Sequence, residues 1–232
     1  MSDVILEVCN LSKIFAEGGS QRLVFSNLNA SIRRGEFVVL LGRSGSGKST
    51  LLNLISGIDL PSGGEVRIGG RNLTGMTEQQ RTLFRRDHIG FVFQFYNLIP
   101  TLNVMENLLL PLELKKSLDA DSQRRALDIL RQVGLEDRSA SYPDRLSGGE
   151  QQRVAICRAL IHNPLVLLAD EPTGNLDAES GREVLTLLDQ LIRKNRMTAL
   201  MVTHSAEVAR LADRVITIKD GGLVETAAST EA

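Results

Sequence analysis

The stretch "FVVLLGRSGSGKST", residues 37–50, constrains this chain more than any other. Residues 37–41 are all apolar, so they read as a strand buried on both faces. A glycine-rich turn follows at once, and "STLLNLISG" (49–57) reads as a helix stopped by Gly57. A buried strand feeding a helix is the local unit of an α/β fold with a mostly parallel sheet. The connecting loop of Gly42, Arg43, Ser44, Gly45, Ser46, Gly47, Lys48 and Ser49 fits G-x-x-x-x-G-K-[ST]. Its glycines let backbone N–H groups curl around an anion with no Cβ in the way, and the helix start adds partial positive charge. Lys48 is placed to reach β- and γ-phosphates as a point charge. Ser49 offers a hydroxyl to Mg²⁺, and Thr50 is placed for a further phosphate contact.

The rest of the pattern fits this frame. Residues 4–8 and 22–32 read as strands joined by the loop "AEGGS" (16–20), and 63–70 as a short strand between turns, giving an antiparallel β portion near the N-terminus. A polar helix over 78–86 and a strand over 89–94 follow. Residues 95–162 then become helical, with helices over 103–117 (Pro111 a kink), 120–133 and 149–162. Alternation resumes with strands at 165–169, 198–203 and 214–219 and a helix at 180–194. "DGG" (220–222) turns the chain into a last short strand, and 227–232 reads as a disordered tail. The expectation is a single domain over 1–232 with a helical subdomain inserted at about 95–162.

Composition narrows the function classes. Among 232 residues, Lys and Arg nearly balance Asp and Glu for a net charge of −1, so no broad basic field points to nucleic acid. Cys9 and Cys157 have no metal-ligand spacing, and a reduced compartment is the default. "MSDVILEVCN" lacks a basic segment followed by an apolar one, and the longest apolar runs are only strand length, so a cytoplasmic location is expected.

Two further segments carry chemistry. "LVLLADE" (165–171) is a buried strand ending in carboxylates. Asp170 there suits Mg²⁺, and Glu171, one residue on, suits polarising an attacking water. "LSGGEQQR" (146–153) places Ser147, Gly148, Gly149 and Glu150 at the start of a helix, another N–H-rich terminus.

With these three segments in place, the chain resembles the ATP-binding subunits of ABC transporters along nearly its whole length. "LSGGEQQR" matches the signature that separates that family from other phosphate-loop ATPases. The resemblance implies that Gln94 contacts Mg²⁺ and water, that Asp177 in "GNLD" communicates across a dimer, and that His204 contacts the γ-phosphate. It also implies that Phe15 stacks on adenine. Each residue has a plainer reading: Asp177 as a helix N-cap, Phe15 as core, Gln94 as a polar strand end. His88 and His162 match no motif and read as surface histidines. Residues 91–112 and "ADEPTGNLD" resemble the subgroup of lipoprotein-release, macrolide-efflux and cell-division ATPases.

The signature lies far from the phosphate loop in sequence, and the family places it on the other subunit's nucleotide. The expected assembly is a head-to-tail homodimer around two ATPs, on the cytoplasmic face of the membrane through a transmembrane permease. Part of the apolar run Phe95, Tyr96, Leu98, Ile99, Leu102, Val104 and Met105 must be core, and an exposed portion of it is the candidate docking surface, within residues 94–112; the plainer reading is core alone. A signalling ATPase of the cell-division kind is the alternative. A DNA- or chromosome-acting ABC ATPase is disfavoured, because the segment between Gln94 and Leu146 is too short for a long coiled coil and lacks heptads.

Overall fold

The computed structural model of the chain describes residues 3–219 and 221–226, so the tail 227–232 lies outside the described residues. Two compact units are present: Met1–Arg85 with Arg196–Ala232, and Arg86–Asn195. The second holds the whole helical segment and also the strands and the helix that flank it.

The first unit contains two sheets. β1 (Val4–Glu17) pairs antiparallel with β2 (Ser20–Arg33) and with β4 (Gly63–Ile68), and β5 (Arg71–Asn72) extends β4, giving the order β2-β1-β4-β5. The two long strands absorb most of the loop expected at 16–20, leaving only Gly18 and Gly19 outside them. Ladder hydrogen bonds run to the hairpin tip although the hydrophobic alternation has ended, so the sequence pattern understates the strands. The other sheet has β3 (Phe37–Leu41) between β8 (Ala199–Thr203) and β9 (Arg214–Lys219), all parallel, with β10 (Gly222–Thr226) antiparallel on β9. Phe37, Val38, Val39 and Leu40 are all buried, as a two-faced strand requires. α1 (Lys48–Ile55) follows β3, the polar α2 (Glu78–His88) begins in this unit, and the short α7 (Ala206–Ala209) follows β8.

In the second unit, β6 (Ile89–Val92) and β7 (Val166–Asp170) pair in parallel. The helices are α3 (Val104–Leu114), α4 (Ser122–Gln132), α5 (Gly148–Leu160) and α6 (Ala178–Asn195). α3 starts at a capping box of Asn103 and Glu106, and it carries Pro111 within its length. Val104, Leu108, Leu112, Ala126, Leu130, Val154 and Ile156 are buried, the helical periodicity expected of one shared core. Within this core sits the fully buried Asn107. Its side chain accepts from the Ile99 N–H and donates to the carbonyls of Ile99, Leu102 and Asn103, which fixes the loop that leads into α3.

Candidate functional site

In the first unit, α1 begins directly from the phosphate loop. Its N-cap is Gly47, in the left-handed region at φ 92°, with no side-chain cap. A Cβ there would lie 2.6 Å from Cγ1 of Val24 on β2, so glycine is needed for conformation and for close approach. A glycine at this position offers no side-chain oxygen of its own to the first N–H groups of α1. Lys48 is buried, and its ammonium donates to the carbonyls of Gly42 (2.9 Å) and Arg43 (3.0 Å), tethering the charge inside the curl of the loop. The Ser46 hydroxyl is buried without a hydrogen-bond partner, a deficit that an anionic oxygen would remove. Arg43, Ser44 and Gly45 form the exposed crest, and Ser49 and Thr50 sit in the first turn of α1.

His204, just past β8, lines an open pocket of about 710 Å³ together with Gly42, Arg43 and Ser46. The structure thus brings the histidine to the phosphate loop across more than 150 residues of sequence. Phe15 stands on β1 directly opposite Arg22 of β2, close along the strand to the Val24 that touches Gly47. It is half-buried, on the sheet beside the loop rather than in the core.

In the second unit, β7 ends on Asp170, and Glu171 follows with φ 45°. A left-handed backbone is uncommon for a residue with a Cβ and marks a position held against local preference. Gln94 and Asn175 bond reciprocally: the Gln94 amide donates to the Asn175 side-chain oxygen, and the Asn175 amide donates to the Gln94 carbonyl, each at 3.1 Å. At the start of α5, Ser147 and Glu150 form a capping box. The Glu150 N–H donates to the Ser147 hydroxyl at 3.3 Å, and the Ser147 N–H donates to the Glu150 carboxylate at 2.7 Å. That backbone N–H is the leading cause that holds the Glu150 carboxyl below its ordinary range. A Cβ at Gly148 would lie 2.6 Å from the Tyr96 hydroxyl and 3.2 Å from Cδ2 of Leu176, so those side chains would have to give way to any larger residue. Asp177 caps α6, accepting from the Ser180 and Glu179 N–H groups at 2.9 and 3.0 Å, and the Ser180 bond leads in lowering its pKa. Its plain N-cap reading is therefore realised, with both bonds on one carboxylate oxygen.

Sequence reasoning overlooked three residues that join these segments. Gln152 is fully buried and donates to the Phe93 carbonyl at 3.2 Å. Arg158 donates to the carbonyls of Asn97 and Tyr96 at 2.6 and 2.9 Å. Asn175 binds Gln94 as described. Residues 93–97, α5 and 175 are thereby stitched into one piece. The available signal was a polar pair, Gln152 and Arg158, on a helix otherwise apolar toward the core.

One expectation is corrected: His162 is not a surface histidine. It is buried just beyond α5, with Nε2 3.2 Å from the Ile89 carbonyl, and burial lowers its pKa. Cys157 is fully buried, and burial pushes its thiol up to about 12, which leaves it chemically inert. An apolar groove of about 400 Å³ runs past Phe91, Phe93, Ile99, Leu110 and Leu114, with Arg158 and His162 in its lining. Of the apolar run after Gln94, Val104 is core at 1% exposure and Phe95 is 67% exposed.

Residues 25–174 match the family described as ABC transporter. The chain belongs to that family. An uncharacterized ABC transporter ATP-binding protein of Mycobacterium tuberculosis is 54% identical over 220 residues, covering 95% of this chain and 89% of the relative. The lipoprotein-releasing system ATP-binding protein LolD of Psychrobacter arcticus is 44% identical over 218 residues, covering 94% and 96%. Among solved structures, the ATP-binding cassette MJ0796, a dimer in a post-hydrolysis state bound to ADP and Pi, is 40% identical. It superposes with a TM-score of 0.87 over 98% of this chain and 100% of that one. The chain is thus an ABC ATP-binding cassette of an ATPase family, with the mixed α/β fold its sequence implies. Among the described residues, no helix of this cassette is long and apolar enough to cross a membrane.

Proposed function

We propose that this cassette binds and hydrolyses ATP as a head-to-tail homodimer around two nucleotides and powers an ABC-type membrane complex. The observation that carries this reading is the phosphate loop: an α1 start with no side-chain cap, the Lys48 ammonium tethered in the curl, and the buried Ser46 hydroxyl without a partner. That donor set fits a triphosphate. Among the described residues, no group of three or more His, Cys, Asp or Glu could hold a metal ion. In this reading Ser49, Asp170 and Gln94 would hold Mg²⁺, which would supply charge neutralisation on the phosphates.

Glu171 accepts a proton from, or orients, the attacking water, and His204 steadies the γ-phosphate. Phe15 stacks on the base. Ser147 and the N–H groups of Gly148 and Gly149 meet the γ-phosphate held by the other copy, and Asp177 contacts that copy. The capping box is compatible with this role, since a hydroxyl that accepts from Glu150 N–H still carries a proton to donate. The apolar groove of the second unit and the exposed Phe95 are the docking surface for a permease on the cytoplasmic face of the membrane. The LolD relatives favour export or extraction of lipoprotein or lipid over import.

The Glu171→Gln variant tests the reading. It should bind ATP and elute as a stable ATP-dependent dimer, while turnover drops by about 10²- to 10⁴-fold. Turnover at the wild-type rate would overturn the role of Glu171, and an ATP-saturated variant that stays monomeric would overturn the sandwich.

A further inference from the structure

We infer that Lys13 is a positioning residue that fixes Phe15 for the nucleotide base and ties it to the phosphate-loop helix. The inference rests on Phe15 as the base-stacking ring. Lys13 is buried at 8% exposure on β1, unusual for a lysine, and its charge has defined neighbours. Nζ lies 4.7 Å from the centroid of the Phe15 ring, donates to the Leu60 carbonyl at 2.8 Å and pairs with Asp59 at 2.7 Å. A desolvated ammonium at that distance is held by the ring's negative face and in turn restrains the ring. Arg22, opposite Phe15 on β2, adds a second cation 5.7 Å from the same centroid.

Asp59 and Leu60 belong to the segment that leaves α1, where the Ile58 and Asp59 N–H groups both donate to the Asn53 carbonyl. Ser62 stitches the same segment to β1: its hydroxyl accepts from Ile14 N–H at 3.0 Å, and its N–H donates to the Ser12 carbonyl at 2.8 Å. One end of α1 carries the phosphate cradle, and the other end is locked to the strand carrying the ring. ATP has a fixed reach from base to phosphates, so both contacts form together only if these two parts hold a constant spacing. Lys13 supplies that constraint, and it does so without touching nucleotide.

The test compares two ligands on the full-length protein: ATP, and inorganic tripolyphosphate, which has phosphates and no base. Phe15→Ala should weaken ATP and spare tripolyphosphate. Lys13→Met should weaken ATP by about 3- to 10-fold, again sparing tripolyphosphate, and Lys13→Arg should restore most of the loss. Asp59→Asn should fall in the same direction as Lys13→Met, and the double variant should be less than additive. If Phe15→Ala weakens ATP but Lys13→Met does not, the positioning role is wrong while the stacking role stands. Should Phe15→Ala leave ATP affinity unchanged, both fall. Equal weakening of ATP and tripolyphosphate by Lys13→Met would show damage to the phosphate loop itself and would overturn the inference.

Discussion

The helices α1 and α5 both begin beside glycines, and both beginnings are rich in N–H groups, yet their caps differ: Gly47 for α1 and Ser147 for α5. α1 starts at a left-handed Gly47 with no side-chain cap, beside a buried lysine. α5 starts at Ser147, closed by a reciprocal box with Glu150. An uncapped terminus carries a standing deficit that a tightly held anion removes. A capped terminus is already stable, so an anion there adds contacts without being needed to complete the fold. The difference suits a primary site within one chain and a secondary site that engages only when a second copy delivers its phosphate. In the proposed function these are the two halves of one composite cradle.

The sharpest break of this comparison is a pair of variants. Lys48→Ala should reduce ATP affinity by about 100-fold, because a charge-assisted contact to phosphate is lost, as read by equilibrium binding. Ser147→Arg should leave monomer affinity within about 2-fold but abolish ATP-driven dimerisation and turnover, read by size exclusion and phosphate release. Equal loss of monomer binding in both would erase the distinction between the two termini. Next in size, Gly47→Ala forces a Cβ into the left-handed region and against Val24, and it should cost about 1–3 kcal/mol in chemical denaturation. A smaller effect is expected for Ser147→Ala, about 1 kcal/mol for the lost cap, with Ser147→Thr close to wild type.

The smallest effect concerns pH. The Glu150 carboxyl is depressed below its ordinary 4.5, chiefly by the Ser147 N–H. Its contribution to stability is complete above about 4.5 and fades as the pH falls through the lower folded value, because the unfolded chain takes up the proton first. Glu150→Gln keeps a side-chain oxygen for the cap and should flatten that part of the acid-side melting profile. No change in slope would mean that the carboxylate adds nothing beyond a neutral acceptor.

Much of the molecule was legible because its chemistry is local. β3 was readable from five successive apolar residues, and the loop after it from glycines whose spacing serves one ligand class. The start of α5 was readable as an N–H-rich helix terminus, while its capping box of Ser147 and Glu150 came only with the structure. Less was legible where partners come from distant segments. Nothing around His162 indicated that its ring would lie against the Ile89 carbonyl, and the strand ends at Glu17 and Ser20 depend on ladder bonds rather than on side-chain alternation. The apolar run after Gln94 divided into core and surface only once α3 was placed, with Val104 inside and Phe95 outside.

By itself, the sequence determined the phosphate loop, the acidic end of β7, the signature helix and the alternation that makes the fold α/β. Each is written in residues a few positions apart, where backbone geometry alone fixes which groups meet. Only the tertiary structure decided that Lys13 would sit against Phe15 and Asp59, that Arg158 and Gln152 would hold residues 93–97, and that Gln94 would pair with Asn175. Those contacts join residues far apart in the chain. A buried charge or amide takes whichever partners the folded core brings to it, and no short stretch of sequence records which ones those are.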